Sequence, residues 1–391
     1  FARLFGLHRL TQWGVDRIIA ANTSCVLLLG RPYMKSDATV TVDVRAIDVG
    51  YFSTKLSLGR VIGPGGMSVA THIFPSLAPR LPAGMSPKSA LNNRPDGTVV
   101  NVDGVDYFVG RDAVLYSSGR EPREVLPDYC LSDKYMALVR GAFHYMAKHE
   151  GNPAELVIRH LVVGLPLSTY AEYQPRLQAR LLQGDHLLPD PADPESLRRV
   201  TVERVSVIVQ PQGALVNFSL YNSSVFDDGS WSLVVDAGGG TLDWFLTRGR
   251  QPNWQRSGAY SKSMLACSYA VTDRINPTWR DNYEIIDRID TALRVRADSF
   301  TTGGKTYSLA EHRPAIDAVL KESVGKMIAK VESLDNLDRV LFTGGGAPVF
   351  YDFMKRAFPE QAALMHMDID PVFANVRGFQ VAGEYMSAST K

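Results

Sequence analysis

Apolar and polar positions alternate through a β-branched run from Thr39 to Ile47, the pattern of a half-buried strand. The run leads into Asp48-Val49-Gly50-Tyr51-Phe52-Ser53-Thr54-Lys55-Leu56-Ser57. An apolar strand, an acidic residue, a glycine turn and a second strand predict a hairpin whose tip carries function. Asn101 to Gly110 predicts another hairpin, with Asp103-Gly104 as its turn. Between Gly63 and Pro95 the chain is rich in Gly and Pro, and long surface loops are expected there. From Ser132 to His149, the residues Tyr135, Leu138, Val139, Ala142 and Tyr145/Met146 fall on one helical stripe. Leu156 to Val163 reads as a buried strand ending at Gly164-Leu165-Pro166, followed by a helix from Tyr170 to Leu182.

The second half repeats the alternation of strand and helix. Leu187 to Leu197 is rich in Asp and Pro and reads as a turn or loop. Arg199 to Val209 reads as one strand stopped by Gln210-Pro211-Gln212-Gly213, with Leu215 to Tyr221 a short helical or extended connector. Trp231 to Val235 is a strand that meets Asp236-Ala237-Gly238-Gly239-Gly240-Thr241-Leu242-Asp243 before a second strand, Trp244-Phe245-Leu246. Helices are expected at Met264–Ile275 and Glu311–Val331. Arg339 to Phe342 is a strand entering Thr343-Gly344-Gly345-Gly346-Ala347, followed by a helix from Pro348 to Ala357 and another from Asn375 to Tyr385. Such alternation favours an α/β fold. Ile47-Asp48-Val49-Gly50 and Val235-Asp236-Ala237-Gly238 share the frame apolar-Asp-small-Gly and lie 188 residues apart. That spacing suggests a duplicated domain whose two copies each present a glycine turn to one ligand between them.

Composition narrows the class. The 391 residues leave room for about two to three domains of roughly 150 residues each. Lys+Arg 42 against Asp+Glu 41 gives a formal charge of +1, which removes the argument for a broad nucleic-acid face or a polybasic membrane anchor. A small local patch stays open. Cys25, Cys130 and Cys267 lie more than a hundred residues apart without metal-ligand spacing, so they are expected to be small buried hydrophobes in a reducing compartment. His144 and His149 do not share a helix face, and no HExxH stands in the chain. The sequence opens at Phe1 and its first methionine is Met34. Residues 1–39 are expected to be a poorly ordered N-terminal extension, with 1–33 either native or translated from a misplaced start. Val26-Leu27-Leu28-Leu29 is far short of the about 20 apolar residues that span a bilayer, and no small-residue cleavage site directly follows it. A soluble, cytoplasmic protein is the expectation.

The chemistry follows from the turns. Glycine lets backbone N–H groups approach a phosphate without a Cβ in the way. A carboxylate just before such a turn would repel the phosphate unless a cation intervened, so Asp48 and Asp236 imply Mg²⁺ held largely through water. Thr54 and Lys55, at the far side of the first hairpin, are placed for β- and γ-phosphate contact. Thr343-Gly344-Gly345-Gly346, after a strand and before a helix, offers a backbone on which a base or ribose can rest. The chain holds neither a Walker A motif nor a strand-linked GxGxxG. The phosphate-binding plan is therefore a different one.

In this order the motifs resemble those of the actin, heat-shock-chaperone and sugar-kinase ATPase superfamily. Asp48–Lys55 resembles its first phosphate motif, Val207–Ala214 the first connecting segment and Asp236–Asp243 the second phosphate motif. Leu341–Ala347 resembles the adenosine motif and Ala374–Gly383 the second connecting helix. Within the superfamily the chain is most similar to plasmid-segregation actins of the ParM/StbA type, including plasmid-borne actin-like "protein D" members. Supporting stretches are Tyr107–Ala113, Val163–Pro166 and Phe373–Gly378, and the likeness runs from about Val40 to Tyr385.

The resemblance implies an actin-like ATPase fold with two RNase-H-like domains, 40–222 plus 367–391 and 223–366, and a nucleotide cleft between them. It implies ATP, with GTP left open, and Mg²⁺ at Asp48 and Asp236. Gly50, Tyr51, Thr54, Lys55, Gly238, Gly239, Gly240 and Thr241 would contact phosphate, and Gly344, Gly345 and Gly346 the nucleoside. Asp236 is also a catalytic candidate, with Gln210 or Gln212 positioning the attacking water; the two flank Pro211 and the sequence does not choose. Tyr51 and Phe52 put bulky aromatics at the hairpin tip, and they are expected to pack under the loop. The implied function is a slow Mg-dependent ATPase that polymerises head to tail and segregates plasmid DNA through a DNA-binding adaptor, without touching nucleic acid or membrane itself. A non-polymerising nucleotide-binding scaffold and a small-molecule kinase of the same fold stand as alternatives.

Overall fold

Two β-sheets organise the chain in the computed structural model, which describes residues 38–63, 66–82, 95–119, 125–191 and 196–389. The expectations for residues 1–37, Cys25 among them, lie outside the described residues. The first sheet starts with β1 (Thr39–Val49), β2 (Ser53–Gly63) and β3 (Gly66–Pro75). A separate ribbon follows, β4 (Thr98–Val102) with β5 (Val105–Val109). The helix α1 (Asp133–His149) is capped by Ser132, whose Oγ accepts from Tyr135 N. Then come β6 (Glu155–Leu165), α2 (Leu167–Leu182), β7 (His186–Pro189), β8 (Leu197–Val202) and β9 (Val205–Val209). The strand order is β3-β2-β1-β6-β8-β7, with β9 also on β6. β1 is antiparallel to β2 and parallel to β6.

The second sheet repeats this plan. α3 (Gln210–Ser219) leads to β10 (Trp231–Ala237), β11 (Leu242–Arg248), β12 (Gln251–Pro252) and β13 (Gly258–Tyr260). After α4 (Met264–Ile275) and α5 (Tyr283–Arg294) come the ribbon β14 (Ser299–Thr302) and β15 (Lys305–Ser308) and the helix α6 (Arg313–Val331). β16 (Arg339–Thr343), α7 (Ala347–Ala357), β17 (Met365–Met367) and α8 (Ala374–Ala388) close the chain. β10 is antiparallel to β11 and parallel to β16, the same pairing as β1 with β2 and β6. The duplication read from the two Asp-x-Gly frames is thus present in the pairing.

Each sheet has its own core. Ile47, Leu56, Phe143 and Val163 are among the fully buried residues of the first, and Leu233, Leu246, Met327 and Phe350 of the second. Phe350 and its partly buried neighbour Tyr351 therefore serve the core, as does Trp279 against Tyr307. α3 and α8 cross where the sheets meet, and they touch backbone to backbone. A Cβ on Gly378 would lie 1.7 Å from Gly213 O. The Phe379 ring fills the space beside Gly164 and Gly213, where a Cβ on either glycine would sit within 2.5 Å of it.

Several expectations are corrected. The stretch from Gly63 to Pro95 is not all loop: β3 pairs with β2 from Ser53↔Pro75 to Gly63↔Gly66. Its alternation is diluted by Ser68, Thr71 and His72, which hid the strand. Leu187–Pro189 lies in a strand, because β7 pairs with β8 and buries Leu188. The single strand expected over Arg199–Val209 is two, separated at Glu203-Arg204, where Arg204 turns to His160 and Ser387. Gln210-Pro211-Gln212-Gly213 begins a helix rather than merely ending a strand: Pro211 occupies the first turn, where its missing N–H costs nothing. β1 starts at Thr39, one residue inside the expected extension.

Candidate functional site

The two acidic hairpins face each other across a cavity of about 360 Å³ between the sheets. Asp48 stands near the end of β1, opposite Lys55 of β2. Lys55 Nζ lies 3.4 Å from Asp48 Oδ2, and Gln210 Nε2 donates to Asp48 Oδ1 at 2.7 Å. Parallel pairing of β9 with β6 carries Gln210, the next residue, to the same edge as Asp48. On the far wall Asp236 stands near the end of β10, opposite Asp243 of β11 and beside Thr343 of β16. Asn375, at the start of α8, donates from Nδ2 to Asp236 Oδ2 at 2.7 Å. Asp243 accepts from Leu167 N at 2.9 Å and so caps α2 from the other half, since Pro166 offers that helix no side-chain cap.

Charge is concentrated here. Burial raises the Asp236 carboxyl to about 7, with the carboxylates of Asp243 and Asp48 pushing the same way and Asn375 and Lys55 opposing. Burial likewise raises Asp243 to about 6. Among the described residues no three His, Cys, Asp or Glu side chains converge as a cage for a bare ion. A Mg²⁺ ion there would take water and phosphate oxygens for most of its ligands. Asp48 and Asp236 are both buried and both line the cavity, and the charge of Asp48 helps to raise Asp236, a repulsion that such an ion would relieve, so the residues fit the group.

The third turn completes the wall. Gly344 has φ +85°, and a Cβ on it would lie 2.4 Å from Asp236 Oδ1. Only glycine fits both demands. Gly345 and Gly346 follow on the cavity surface, opposite α5, where Arg294 Nε donates to Asp290 Oδ2 at 2.7 Å.

The residues singled out in the sequence separate as follows. Asp48, Gly50, Tyr51 and Lys55 line the cavity, as do Gly238, Gly239 and Thr241, Gln210 and Asp236, and Gly344, Gly345 and Gly346. Thr54, Gly240 and Gln212 are not on its surface. Thr54 is fully buried beneath the hairpin, its Oγ1 3.0 Å from Ser76 Oγ. Gly240 lies under the Tyr51 ring, and Gln212 is exposed on α3. Sequence reasoning missed Asn375, Asp243 and the α5 residues Asp287, Asp290 and Arg294, all at or behind the cavity wall. The signal for α5 was present in its amphipathic spacing and in the Asp290/Arg294 pair four residues apart.

Comparison with known proteins fits this geometry. Residues 46–213 match the family profile described as the actin-like proteins N-terminal domain. No curated protein matches the chain by sequence. Among solved structures, the actin-like protein Alp7A aligns at 13% identity with a TM-score of 0.68, covering 90% of this chain and 98% of Alp7A. A 15-stranded ParM filament from Clostridium botulinum aligns at 18% identity and TM-score 0.65, covering 88% and 100%. Ta0583, an archaeal actin homologue solved in complex with ADP, aligns at 18% and 0.62 over the same shares. The fold is that of the actin-like ATPases. Within that class the likeness is to ParM and other prokaryotic actin homologues. No helix among the described residues is long and apolar enough to cross a membrane.

Proposed function

We propose that the chain is a slow, Mg²⁺-dependent ATPase that assembles head to tail into nucleotide-dependent filaments and segregates plasmid DNA through a DNA-binding adaptor. The observation that carries the reading is the convergence of Asp48, Gln210 and Asp236, from two similar hairpins and the segment joining them, on one cavity. The filament of the C. botulinum relative supports self-assembly, and the ADP in the archaeal homologue supports an adenine nucleotide. The domains are 40–222 plus 367–391 and 223–366. The packing of α8 on the first sheet, with Gly383 against Val44 and Val162, supports this division.

Mg²⁺ when bound would neutralise charge on the β- and γ-phosphates. Asp48 and Asp236, from the two walls, would hold it through water. Lys55 offers a cation to the phosphates, and Gly50 and Gly238 let the chain approach them. Gln210 rather than Gln212 would orient the water, a reading supported by its amide lying against Asp48 while Gln212 faces solvent. A glutamine is a poor base, so it acts by positioning, which suits slow turnover. Closure of the cleft on ATP would favour subunit contacts, and hydrolysis would weaken them.

Phosphate release from purified protein with Mg²⁺ and ATP tests the reading. Gln210→Ala should slow turnover at least about tenfold with little change in nucleotide affinity, a loss of about 1.4 kcal/mol of transition-state stabilisation. Gln212→Ala should leave turnover within about twofold. Equal effects of the two variants would contradict the assignment.

A further inference from the structure

The aromatics at the first hairpin tip do not pack under their own loop. They reach across the cleft to the glycines of the second. A Cβ on Gly239 would lie 2.1 Å from Phe52 Cδ2, and a Cβ on Gly240 2.8 Å from Tyr51 Cδ2 and 2.6 Å from Val125 Cγ2. Each ring therefore rests on a backbone position that has no side chain. Gly238, by contrast, faces only Thr241, with its carbonyl oxygen 3.1 Å from a would-be Cβ. The rings are anchored from the first half. Ser76 N donates to Phe52 O at 3.0 Å, and Tyr51 Oη donates to Leu126 O at 3.2 Å. Tyr51 also stacks on Tyr129, with centroids 5.1 Å apart, and Tyr129 meets the buried Tyr135 edge to face. A line of aromatic rings thus runs from the first core to the second glycine loop.

We propose that Tyr51 and Phe52 form an aromatic clamp across the cleft, and that Gly239 and Gly240 are glycine in order to seat these rings. The contacts are made by the chain itself, so the clamp joins the two loops before any nucleotide binds. Phe52 is a positioning residue: it sets the spacing of the hairpins that carry Asp48 and Asp236. Gly238 is left as the residue of the second turn whose lack of a side chain serves phosphate approach.

A double-mutant cycle tests this. Wild type, Phe52→Gly, Gly239→Ala and the double variant would be compared by thermal melting without nucleotide, by binding of a fluorescent ATP analogue with Mg²⁺, and by small-angle scattering. Gly239→Ala should lower the melting temperature by several degrees, because the added methyl meets the ring. In the Phe52→Gly background the same substitution should cost less than about 2 °C. Nucleotide-free Phe52→Gly should be more expanded than wild type and recompact with Mg²⁺ and ATP, and Phe52→Leu should restore most of the compactness. If Gly239→Ala is as damaging without the ring as with it, or if Phe52→Gly scatters as wild type does, the clamp is overturned. Failure of Gly239→Ala to fold while the double variant folds would support it. The nucleotide arm rests on the function proposed above, whereas melting and scattering of the free protein do not. Loss of all ATP binding by wild type, with rescue in the melts, would remove the nucleotide reading and leave the clamp standing.

Discussion

Replacing Asp236 by Asn should stabilise the nucleotide-free protein while removing its response to Mg²⁺ and ATP. The carboxyl is buried and held at about 7 against an ordinary 3.8, with burial as the leading cause. The folded state thus prefers the protonated form, and the sign follows. The contribution is fully present below about pH 4, where folded and unfolded chains are both protonated. It is lost as pH rises from there to about 7, because the unfolded chain ionises first. Above pH 7 ionised Asp236 costs about 4 kcal/mol, taking 1.36 kcal/mol for each pH unit. An asparagine keeps an acceptor for Asn375 Nδ2 and carries no charge. The stability gap in favour of Asp236→Asn should therefore widen by about 2 to 3 kcal/mol between pH 5 and pH 8. Asp243, raised to about 6, slopes the same way in both proteins, and losing a charged neighbour adds to the gain. Urea unfolding of both proteins at several pH values measures the gap. Adding Mg²⁺ and ATP at pH 8 should raise wild-type stability and leave the variant unmoved. A variant no more stable than wild type at pH 8, with a gap that ignores pH, would refute the claim that the fold pays to keep this carboxylate.

Three further outcomes are expected. Gly378→Ala should destabilise by about 3 kcal/mol in urea unfolding, because its Cβ would fall 1.7 Å from Gly213 O on the crossing helix. Gly344→Ala should weaken Mg²⁺-ATP binding at least about tenfold in a fluorescence titration, since it strains a φ of +85° and presses on Asp236 Oδ1. His144 is pulled down to about 3 by burial and the nearby Arg198 guanidinium, so the unfolded chain takes up its proton first. Stability from this group is lost as pH falls from about 6.5 toward 3, and His144→Gln should flatten that slope in acid-unfolding curves.

The fold was legible where a period ran unbroken. Thr39–Ile47, Ser132–His149 and Met264–Ile275 stand as expected, and the paired Asp-x-Gly frames foretold two sheets of like pairing. β3 was hidden because Ser68, Thr71 and His72 break its apolar rhythm, and its partner is set by pairing rather than by local pattern. The candidate site was legible in the order of its turns, two Asp-x-Gly frames and then a strand–Gly-Gly-Gly–helix turn; a lone Asp-Gly pair such as Asp103-Gly104 is an ordinary hairpin turn. Asn375 and Asp243 were not, because their meaning lies in partners 139 and 76 residues away. The choice between Gln210 and Gln212 was closed to sequence for a related reason. They lie two apart on one helix start, and only the tertiary fold turns one to Asp48 and the other to solvent. Gly239 and Gly240 show the reverse case, in which a glycine read as a phosphate seat lies against a ring from the other half.

Right-angle light scattering recorded together with phosphate release tests the central claim most directly. Purified protein would be mixed with Mg²⁺ and ATP, a non-hydrolysable analogue or ADP, with Asp236→Ala alongside. The account predicts scattering that rises with ATP above a threshold protein concentration, persists with the analogue, decays as phosphate appears, and is absent in Asp236→Ala. Nucleotide hydrolysis without concentration-dependent scattering would contradict the filament, and no nucleotide binding at all would contradict the site.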